Sequence, residues 1–328
     1  MLPILRYSIL FWALSFCLSD VAQAQQSRKG ARVGYLAAVS ASADAPRLDA
    51  FQRELRELGY VEGQDLIVEY RHEARAFDRL PALAAELIAS KIDVLVAVTT
   101  NAAQAAKRTT ATVPIVFMGV TDPVAAGLAE SLARPGGNVT GITNIAATLT
   151  GKRLQFLKLT IPRVSRVAVL WDPKAPGSIP QWRESQQPAR ELGLQLYSME
   201  VSSVDRYEAA FKEAVNAGNT AVWVTLNPLA NSNQDAIAKL AIANNLPSIC
   251  ARGDYAENGC LLAYGPSYDA EGRDGARYVD KILKGAKPAS LPIEQPTKFE
   301  LVVNVQTAKR LGLTVPAAVL LQADKIIQ

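Results

Sequence analysis

Runs of apolar residues alternate with amphipathic segments along most of the chain. Short apolar runs rich in valine, isoleucine and leucine predict buried strands at residues 33–39, 66–70, 94–98 and 115–119. Segments with helical spacing of apolar residues lie between them, at residues 51–58, 80–90 and 102–108. Gly59 stands where a left-handed residue would end the first helix. This alternation predicts an α/β fold with a mostly parallel sheet and helices on both faces.

The second half of the chain repeats the pattern of the first. Residues 166–170 (RVAVL) echo residues 32–36 (RVGYL) at an offset of 134 residues. A predicted helix end at Gly193 repeats the one at Gly59 with the same offset. The strand that begins after Pro114 has a counterpart after Pro247. Echoes in register over such a distance predict two similar lobes.

The first 24 residues predict an export signal. Arg6 provides a positive start, residues 7–18 are almost wholly apolar, and Ala22-Gln23-Ala24 is a small-x-small cleavage site. The apolar run is shorter than the roughly 20 residues that cross a bilayer, which makes a membrane anchor the weaker alternative. Cleavage after Ala24 predicts a protein exported to the periplasm.

Length and charge limit the function classes. The remainder of the chain is too long for one core and suits two domains. The formal net charge is +4, from 35 Lys and Arg and 31 Asp and Glu. The basic residues are scattered, so we expect no nucleic-acid or membrane-surface partner. In an oxidising compartment Cys250 and Cys260 would form a disulfide or remain two buried thiols, and their spacing leaves both open.

The sequence offers little for catalysis or metal binding. His72 is the only histidine, no G-x-S-x-G motif supplies a nucleophile, and no zinc-ligand spacing occurs. We therefore predict a surface histidine, no catalytic residue, no metal and no cofactor. The mixed charges of residues 53–57 (RELRE) predict a solvated helix face.

Polar residues follow the predicted strands at their carboxyl ends, the edge where open parallel sheets bind ligands. From these turns we select the candidate ligand-binding residues Ser40, Thr99, Thr100, Asn101, Thr121, Asp122, Asn227, Asp254 and Tyr255. The alternative for each of these residues is that it only caps the helix that follows it and binds no ligand. A capped helix N-terminus still directs N–H groups at an anionic ligand, so the two roles are compatible.

Longer segments carry a family resemblance. They are residues 51–63 (FQRELRELGYVEG), 79–87 (RLPALAAEL), 114–122 (PIVFMGVTD), 133–141 (ARPGGNVTG), 278–288 (YVDKILKGAKP) and 295–313 (QPTKFELVVNVQTAKRLGL). On these segments the chain resembles ABC-transporter substrate-binding proteins of the tryptophan/tyrosine-type group, over roughly residues 31–327. The resemblance implies a type I periplasmic binding protein fold, with two Rossmann-like lobes joined by a multi-strand hinge and a ligand between them.

The resemblance also implies a division of the chain and a set of hinges. Lobe 1 would comprise residues 31–143 with about 266–292, and lobe 2 residues 144–265 with about 293–328. Hinges are expected near Thr143-Asn144, Gly265-Pro266 and Pro292.

The expected function is that of a periplasmic solute-binding component of an ABC importer. It would be a monomer that captures an amino-acid-like or small carboxylated or aromatic metabolite by hinge closure and delivers it to an ABC permease and its ATPase. Some members of the resembled group have an acidic residue at the position of Asn227. Because an asparagine cannot neutralise a buried ammonium as a carboxylate would, this weakens the case for an amino-acid ligand. A ligand-sensing subunit of a receptor and an exported hydrolase remain alternatives.

Overall fold

The computed structural model describes residues 30–328, and the predicted export signal at residues 1–24 lies outside the described residues. Within this range, no helix is both long and apolar enough to cross a membrane. Two separate sheets organise the described chain, and each is covered by helices.

The first sheet contains five parallel strands in the order β2-β1-β3-β4-β5. These strands are β1 (Ala31–Ala37), β2 (Leu66–His72), β3 (Val94–Val98), β4 (Ile115–Val120) and β5 (Val139–Thr143). The helices between them are α1 (Ala41–Glu57), α2 (Leu80–Ala89) and α3 (Thr100–Thr109), with a 3₁₀ turn at Phe77–Arg79. The predicted strands and helices of this half are confirmed, since β-branched residues fill strands that are buried on both faces.

The second sheet has seven strands in the order β12-β11-β10-β9-β8-β6-β7. They are β6 (Arg166–Trp171), β7 (Gln195–Glu200), β8 (Ala221–Val224), β9 (Ser248–Cys250), β10 (Leu262–Gly265), β11 (Glu300–Asn304) and β12 (Lys325–Ile327). The order of β6 to β10 repeats the order of β1 to β5, which confirms the predicted repeat. Gly59 and Gly193 both end their helices at positive φ, +91° and +66°.

Nine further helices lie in the described part of the chain. They are α4 (Thr150–Thr160), α5 (Ser178–Glu191), α6 (Tyr207–Asn216), α7 (Pro228–Asn231), α8 (Gln234–Ala243), α9 (Gly253–Glu257), α10 (Tyr268–Leu283), α11 (Val305–Arg310) and α12 (Ala317–Leu320), with 3₁₀ turns at Val204–Arg206 and Pro288–Ser290. Helix α10 follows β10 but joins the core of the first sheet, through Ala276, Tyr278 and Val279. We call the first sheet with its helices and α10 lobe one, and the remainder lobe two.

The chain passes between the lobes three times. It leaves lobe one after β5 and returns after β10. The third passage lies beyond Glu294, whose backbone N–H donates to Gly141 and whose carbonyl accepts from Thr143, both at 3.0 Å. Ile293 is buried in the core of lobe one, so the chain is still in that lobe past the predicted hinge at Pro292.

The predicted solvated face of α1 is confirmed for Arg53, Arg56 and Glu57, which are exposed, and is wrong for Glu54. Glu54 is only 6% exposed and accepts a hydrogen bond from Arg277 of α10 at 2.8 Å, while Arg53 pairs with Asp269 of the same helix. Helix α10 returns from far along the sequence and covers Glu54. The local charge pattern therefore could not distinguish pairing across two helices from exposure to water.

Candidate functional site

The carboxyl ends of the two sheets face each other across a cleft. Lobe one contributes Arg47, Thr99, Thr100, Asn101, Gly119 and Thr121, the passages between lobes contribute Asn144 and Pro266, and α10 contributes Glu271. Lobe two contributes Gly177, Leu226, Asn227, Pro228, Asn231, Ala251 and Arg252. The structure thus brings five of the predicted ligand-binding residues into one cleft: Thr99, Thr100, Asn101, Thr121 and Asn227.

The other four predicted residues lie away from the cleft lining. Ser40 caps α1 through its hydroxyl, and its N–H donates to Ser232 of lobe two at 3.0 Å. Asp122 accepts from the N–H of Ala125 and borders a separate groove of about 990 Å³, between lobe one and α5.

Asp254 and Tyr255 support the wall of the cleft from behind. Two nitrogens of Arg252 donate to the carboxylate of Asp254, at 2.6 and 2.9 Å. The hydroxyl of Tyr255 donates to the side-chain oxygen of Asn231 at 2.5 Å. Both residues therefore position side chains that line the cleft.

The N-terminus of α3 opens onto the cleft. Thr99 precedes the helix with φ +82°, and its side chain makes no capping hydrogen bond. Its buried hydroxyl has no hydrogen-bond partner among the described residues. The first-turn N–H groups of a helix have no partner within the helix and carry its positive dipole end, which suits an anion. The hydroxyl of Thr100 accepts from the N–H of Thr121 at 3.2 Å and so fixes this turn.

A buried ionic network forms the floor of the cleft in lobe one. Arg47 pairs with Asp44, and its Nε donates to Glu271 Oε2 at 3.3 Å. Asp44 Oδ2 also accepts from the hydroxyl of Tyr35 at 2.8 Å, and His72 Nε2 lies 3.3 Å from the same oxygen. Burial alone would raise the pKa of Asp44, but the guanidinium of Arg47 and hydrogen bonds from His72 and Tyr35 hold it below its usual value.

The prediction of a surface histidine is wrong. The side chain of His72 is only 17% exposed because it packs against the buried carboxylate of Asp44. Among the described residues, no group of three or more His, Cys, Asp and Glu side chains is placed to hold a metal ion.

Tyr268 connects the two lobes at the floor of the cleft. The guanidinium carbon of Arg252 lies 3.4 Å from the centroid of its ring, and that of Arg47 lies 3.9 Å from it. Two guanidinium groups cannot share one face of the ring at these distances, so the ring lies between them. Burial raises the pKa of Tyr268 to about 12, which keeps the ring neutral.

Arg153 ties together the segments that pass between the lobes. It is fully buried in α4 and donates to the carbonyls of Ala146, Ala251 and Tyr264, at 2.8, 3.2 and 2.8 Å. Burial lowers the pKa of this guanidinium to about 9. Three carbonyl acceptors take the place of a counter-ion and fix the start of α4 to the ends of β9 and β10.

A disulfide closes the wall of the cleft in lobe two. It joins Cys250, the last residue of β9, to Cys260, with an S–S distance of 2.10 Å. The loop that it closes contains Arg252, Asp254 and Tyr255.

The lobes are closed onto each other. The cavity enclosed at the cleft measures about 20 Å³, enough for about one water molecule. A β-carbon on Gly177 of lobe two would lie 3.1 Å from the hydroxyls of Thr100 and Thr121 in lobe one.

With this geometry, the comparisons with known proteins identify the family. The profile of the family described as "ABC transporter substrate binding protein" matches residues 32–327. The chain belongs to this family. The family and the two-lobed α/β fold of type I periplasmic binding proteins, both expected from the sequence, are thereby confirmed.

Relatives of this substrate-binding protein include proteins with stated ligands. A tyrosine-binding protein of Clostridioides difficile is 25% identical over 291 residues, which cover 88% of this chain and 82% of the relative. The crystal structure of a conserved domain protein from Vibrio cholerae has a TM-score of 0.87 at 27% identity, covering 91% of this chain and all of that one. A Streptococcus pneumoniae ABC domain in complex with L-Trp has a TM-score of 0.86 at 25% identity, with the same coverage.

The members of this family are described as substrate-binding proteins and not as enzymes. Sequence reasoning missed the charged residues that this substrate-binding protein places at its cleft, namely Arg47, Glu271 and Arg252. Arg47 and Glu271 lie within helices whose charges look ordinary in sequence. Arg252 lies in a polar turn that the sequence did predict, two residues before the candidate ligand-binding residue Asp254.

Proposed function

We propose that this substrate-binding protein is the periplasmic solute-binding component of an ABC importer. It would capture an amino-acid-like or small carboxylated metabolite between its lobes and present it to an ABC permease and its ATPase. The observation that carries this proposal is the cleft, where the open N-terminus of α3 faces the polar wall of lobe two.

The N-terminus of α3 is the part of the cleft best suited to a carboxylate. Its first-turn N–H groups are directed at the cleft, and the unpaired hydroxyl of Thr99 and the side chain of Asn101 lie beside them. Hydrogen bonds to an ionised group in a buried site are among the strong ones, because both charge and geometry favour them. A ligand carboxylate at this position would satisfy the groups that α3 leaves unpaired.

Closure of the lobes is the proposed means of capture. A cavity of about 20 Å³ cannot hold a metabolite, so the lobes would have to separate to admit one. The three passages between the lobes permit a hinge motion. With a ligand between them the lobes would close less tightly than in this arrangement, and contacts with both walls of the cleft would stabilise that ligand-bound closed form over the open one.

A thermal-shift screen followed by calorimetry tests the ligand class. The screen would contain the L-amino acids, their counterparts without the amino group, and other small carboxylic acids. A true ligand at 100 times its dissociation constant should stabilise the protein by about 2.7 kcal/mol. Stabilisation by neutral sugars alone, or chemical conversion of a stabilising compound, would contradict the proposal.

An uptake experiment tests the importer role. Cells that lack this protein should lose uptake of the same compound that stabilises it in the screen. Normal uptake together with a lost transcriptional response to that compound would instead favour a sensing subunit.

A further inference from the structure

Glu271 presents an unpaired carboxylate oxygen to the cleft. The residue is 9% exposed, and its Oε1 has no hydrogen-bond partner among the described residues. A buried carboxylate oxygen without a donor is unfavourable, because its lost hydration is not replaced. Glu271 lines the same cleft as the unpaired hydroxyl of Thr99. Both atoms therefore lack a hydrogen-bond partner and belong to residues that line the same cleft.

The surrounding residues hold Glu271 in place. Its other oxygen, Oε2, accepts from Arg47 Nε at 3.3 Å. Arg47 is fixed in turn by its ion pair with Asp44 and by the ring of Tyr268. One carboxylate oxygen is thus anchored to the floor of the cleft and the other is left free.

Gly119 leaves room at this free oxygen. It lines the same cleft, and a β-carbon at this position would lie 2.7 Å from Glu271 Oε1. Any larger residue would press against the carboxylate, so the glycine allows the buried Oε1 to keep its position at the edge of the cleft.

The local charge balance favours a cation. The guanidinium of Arg47 contacts two carboxylates, those of Asp44 and Glu271. Unless His72 beside Asp44 is protonated, this one positive charge cannot neutralise both, and buried carboxylates are stable only when they are paired. A cationic group beside Oε1 would supply the missing charge and the missing donor.

Asn227 is poorly placed for this role. Its side-chain oxygen accepts from the N–H of Ala230 at 2.9 Å, and its nitrogen donates to the carbonyl and hydroxyl of Thr225, both at 3.3 Å. The side chain is thus engaged in its own turn.

We propose that Glu271 binds the amino group of the ligand through Oε1 and so selects amines over the corresponding acids. This inference rests on the proposed function and specifies its ligand: the carboxylate would lie at the N-terminus of α3 and the ammonium at Glu271. Asn227 alone would disfavour an amino-acid ligand, because it cannot neutralise the ligand's ammonium group. In this arrangement the carboxylate of Glu271 in lobe one would neutralise that group.

Calorimetry with matched pairs of compounds tests the inference. The probes are L-tyrosine, L-tryptophan and L-leucine, each with the acid that lacks only its amino group: 3-(4-hydroxyphenyl)propionate, indole-3-propionate and 4-methylpentanoate. The wild-type protein should bind an amino acid roughly 10- to 100-fold more tightly than its partner acid, the range expected for a charge-assisted hydrogen bond. Glu271→Gln should remove most of this preference, because it should weaken binding of the amino acid far more than binding of the acid.

Glu54→Gln is the matched control. Glu54 is also a buried carboxylate bonded to an arginine, but it lies outside the cleft lining, so its variant should keep the wild-type preference. A Glu271→Gln protein that keeps the preference would overturn the inference and leave the proposed function standing.

Two further outcomes are decisive. Equal wild-type affinity for an amino acid and its partner acid would also overturn the inference alone. Binding of none of the three amino acids would overturn it together with the amino-acid part of the proposed function. Should Glu271→Gln fail to fold, Glu271→Asp keeps the charge that Arg47 needs but draws the oxygen back, and an unchanged preference in that variant would count against the inference.

Discussion

Thr99 adopts a backbone conformation that residues other than glycine rarely occupy. Its φ of +82° lies in the region open mainly to glycine, at the point where α3 begins to face the cleft. Such strain costs on the order of 1–3 kcal/mol and persists where the surrounding structure or the function requires it. The side chain that imposes the strain is the one whose hydroxyl waits unpaired in the cleft.

Replacing Thr99 separates stability from binding. Thr99→Gly relieves the strained φ, so the free energy of unfolding should be unchanged or higher by about 1 kcal/mol. The same variant lacks the hydroxyl at α3, so ligand affinity should fall by about tenfold. Urea unfolding and calorimetry measure the two effects, and a parallel loss of both would show that Thr99 serves only the fold.

Asp44 should shape the stability of the protein at low pH. Its pKa in the folded protein lies below the ordinary value of 3.8. A carboxyl with a depressed folded pKa contributes stability that is complete above its unfolded pKa and is lost as pH falls through the folded one. Urea unfolding from pH 6 to pH 2.5 should therefore show declining stability below about pH 4, and Asp44→Asn should flatten that decline.

The same variant has a cost at neutral pH. Asp44→Asn removes the charged acceptor of the hydrogen bonds from Arg47 and Tyr35, which should lower the free energy of unfolding by about 2 kcal/mol although Glu271 still pairs with Arg47. Asp235→Asn is the control, because Asp235 forms only an exposed pair with Lys239 on α8. The control should keep the wild-type stability and the wild-type decline in acid. An equally steep decline for Asp44→Asn would assign the acid sensitivity to other carboxyls.

At the scale of elements, a disulfide bond holds the short helix α9 and the turns on either side of it in position. The disulfide between Cys250 and Cys260 closes the loop that carries Arg252. Closing a loop of this size stabilises a fold by about 3 kcal/mol, largely by restricting the unfolded chain.

Reduction of this disulfide should weaken the protein measurably. Adding a strong reductant should lower the free energy of unfolding by about 3 kcal/mol. The double variant Cys250→Ser with Cys260→Ser should show the lower value from the start and no response to the reductant. A wild-type protein that ignores the reductant in the unfolding measurement would contradict this expectation.

The arrangement of elements was only partly accessible from the sequence. Local periodicity predicted β1 to β4 and, through the repeat, β6 and β9, because those strands are short, apolar and separated by helices. It did not predict antiparallel β11, or the return of α10 to α1, because both depend on where the chain passes between lobes. The family resemblance, not the pattern, implied those passages.

The residues of the cleft were likewise only partly predictable from the sequence. Thr100 and Asn227 were predictable because each lies in the short polar turn that follows a strand. Arg47 and Glu271 were not, because they meet only when α10 packs on α1 and their local sequences resemble any charged helix. Turn residues are set by nearby sequence, while an ion pair between distant helices is set by the whole fold.

At the scale of the whole molecule, the two lobes touch through small residues at the cleft. Gly177 meets Thr100 and Thr121 so closely that a β-carbon would already lie at the limit of normal contact. The closed arrangement therefore depends on the absence of a side chain at this position.

A larger residue at Gly177 should hold the lobes apart. Its φ of −72° accepts other residues, so Gly177→Val should fold normally while its side chain prevents the closest approach. Small-angle scattering should give a larger radius of gyration than for wild type, and ligand affinity should fall at least tenfold. Ala111→Val, at an exposed position in lobe one, is the control and should match wild type in both. An unchanged scattering curve for Gly177→Val would mean that contact at this point does not limit closure.

The three passages of the chain also set the order in which the protein can be completed. The core of lobe one needs Tyr278 and Ile282 from α10, and the core of lobe two needs Leu301, Val303 and Val319. Neither lobe can finish its core while these late segments are still being synthesised. Lobe one can therefore complete its core only after α10 has been synthesised and lobe two only after α12, so both lobes stay incomplete through most of synthesis.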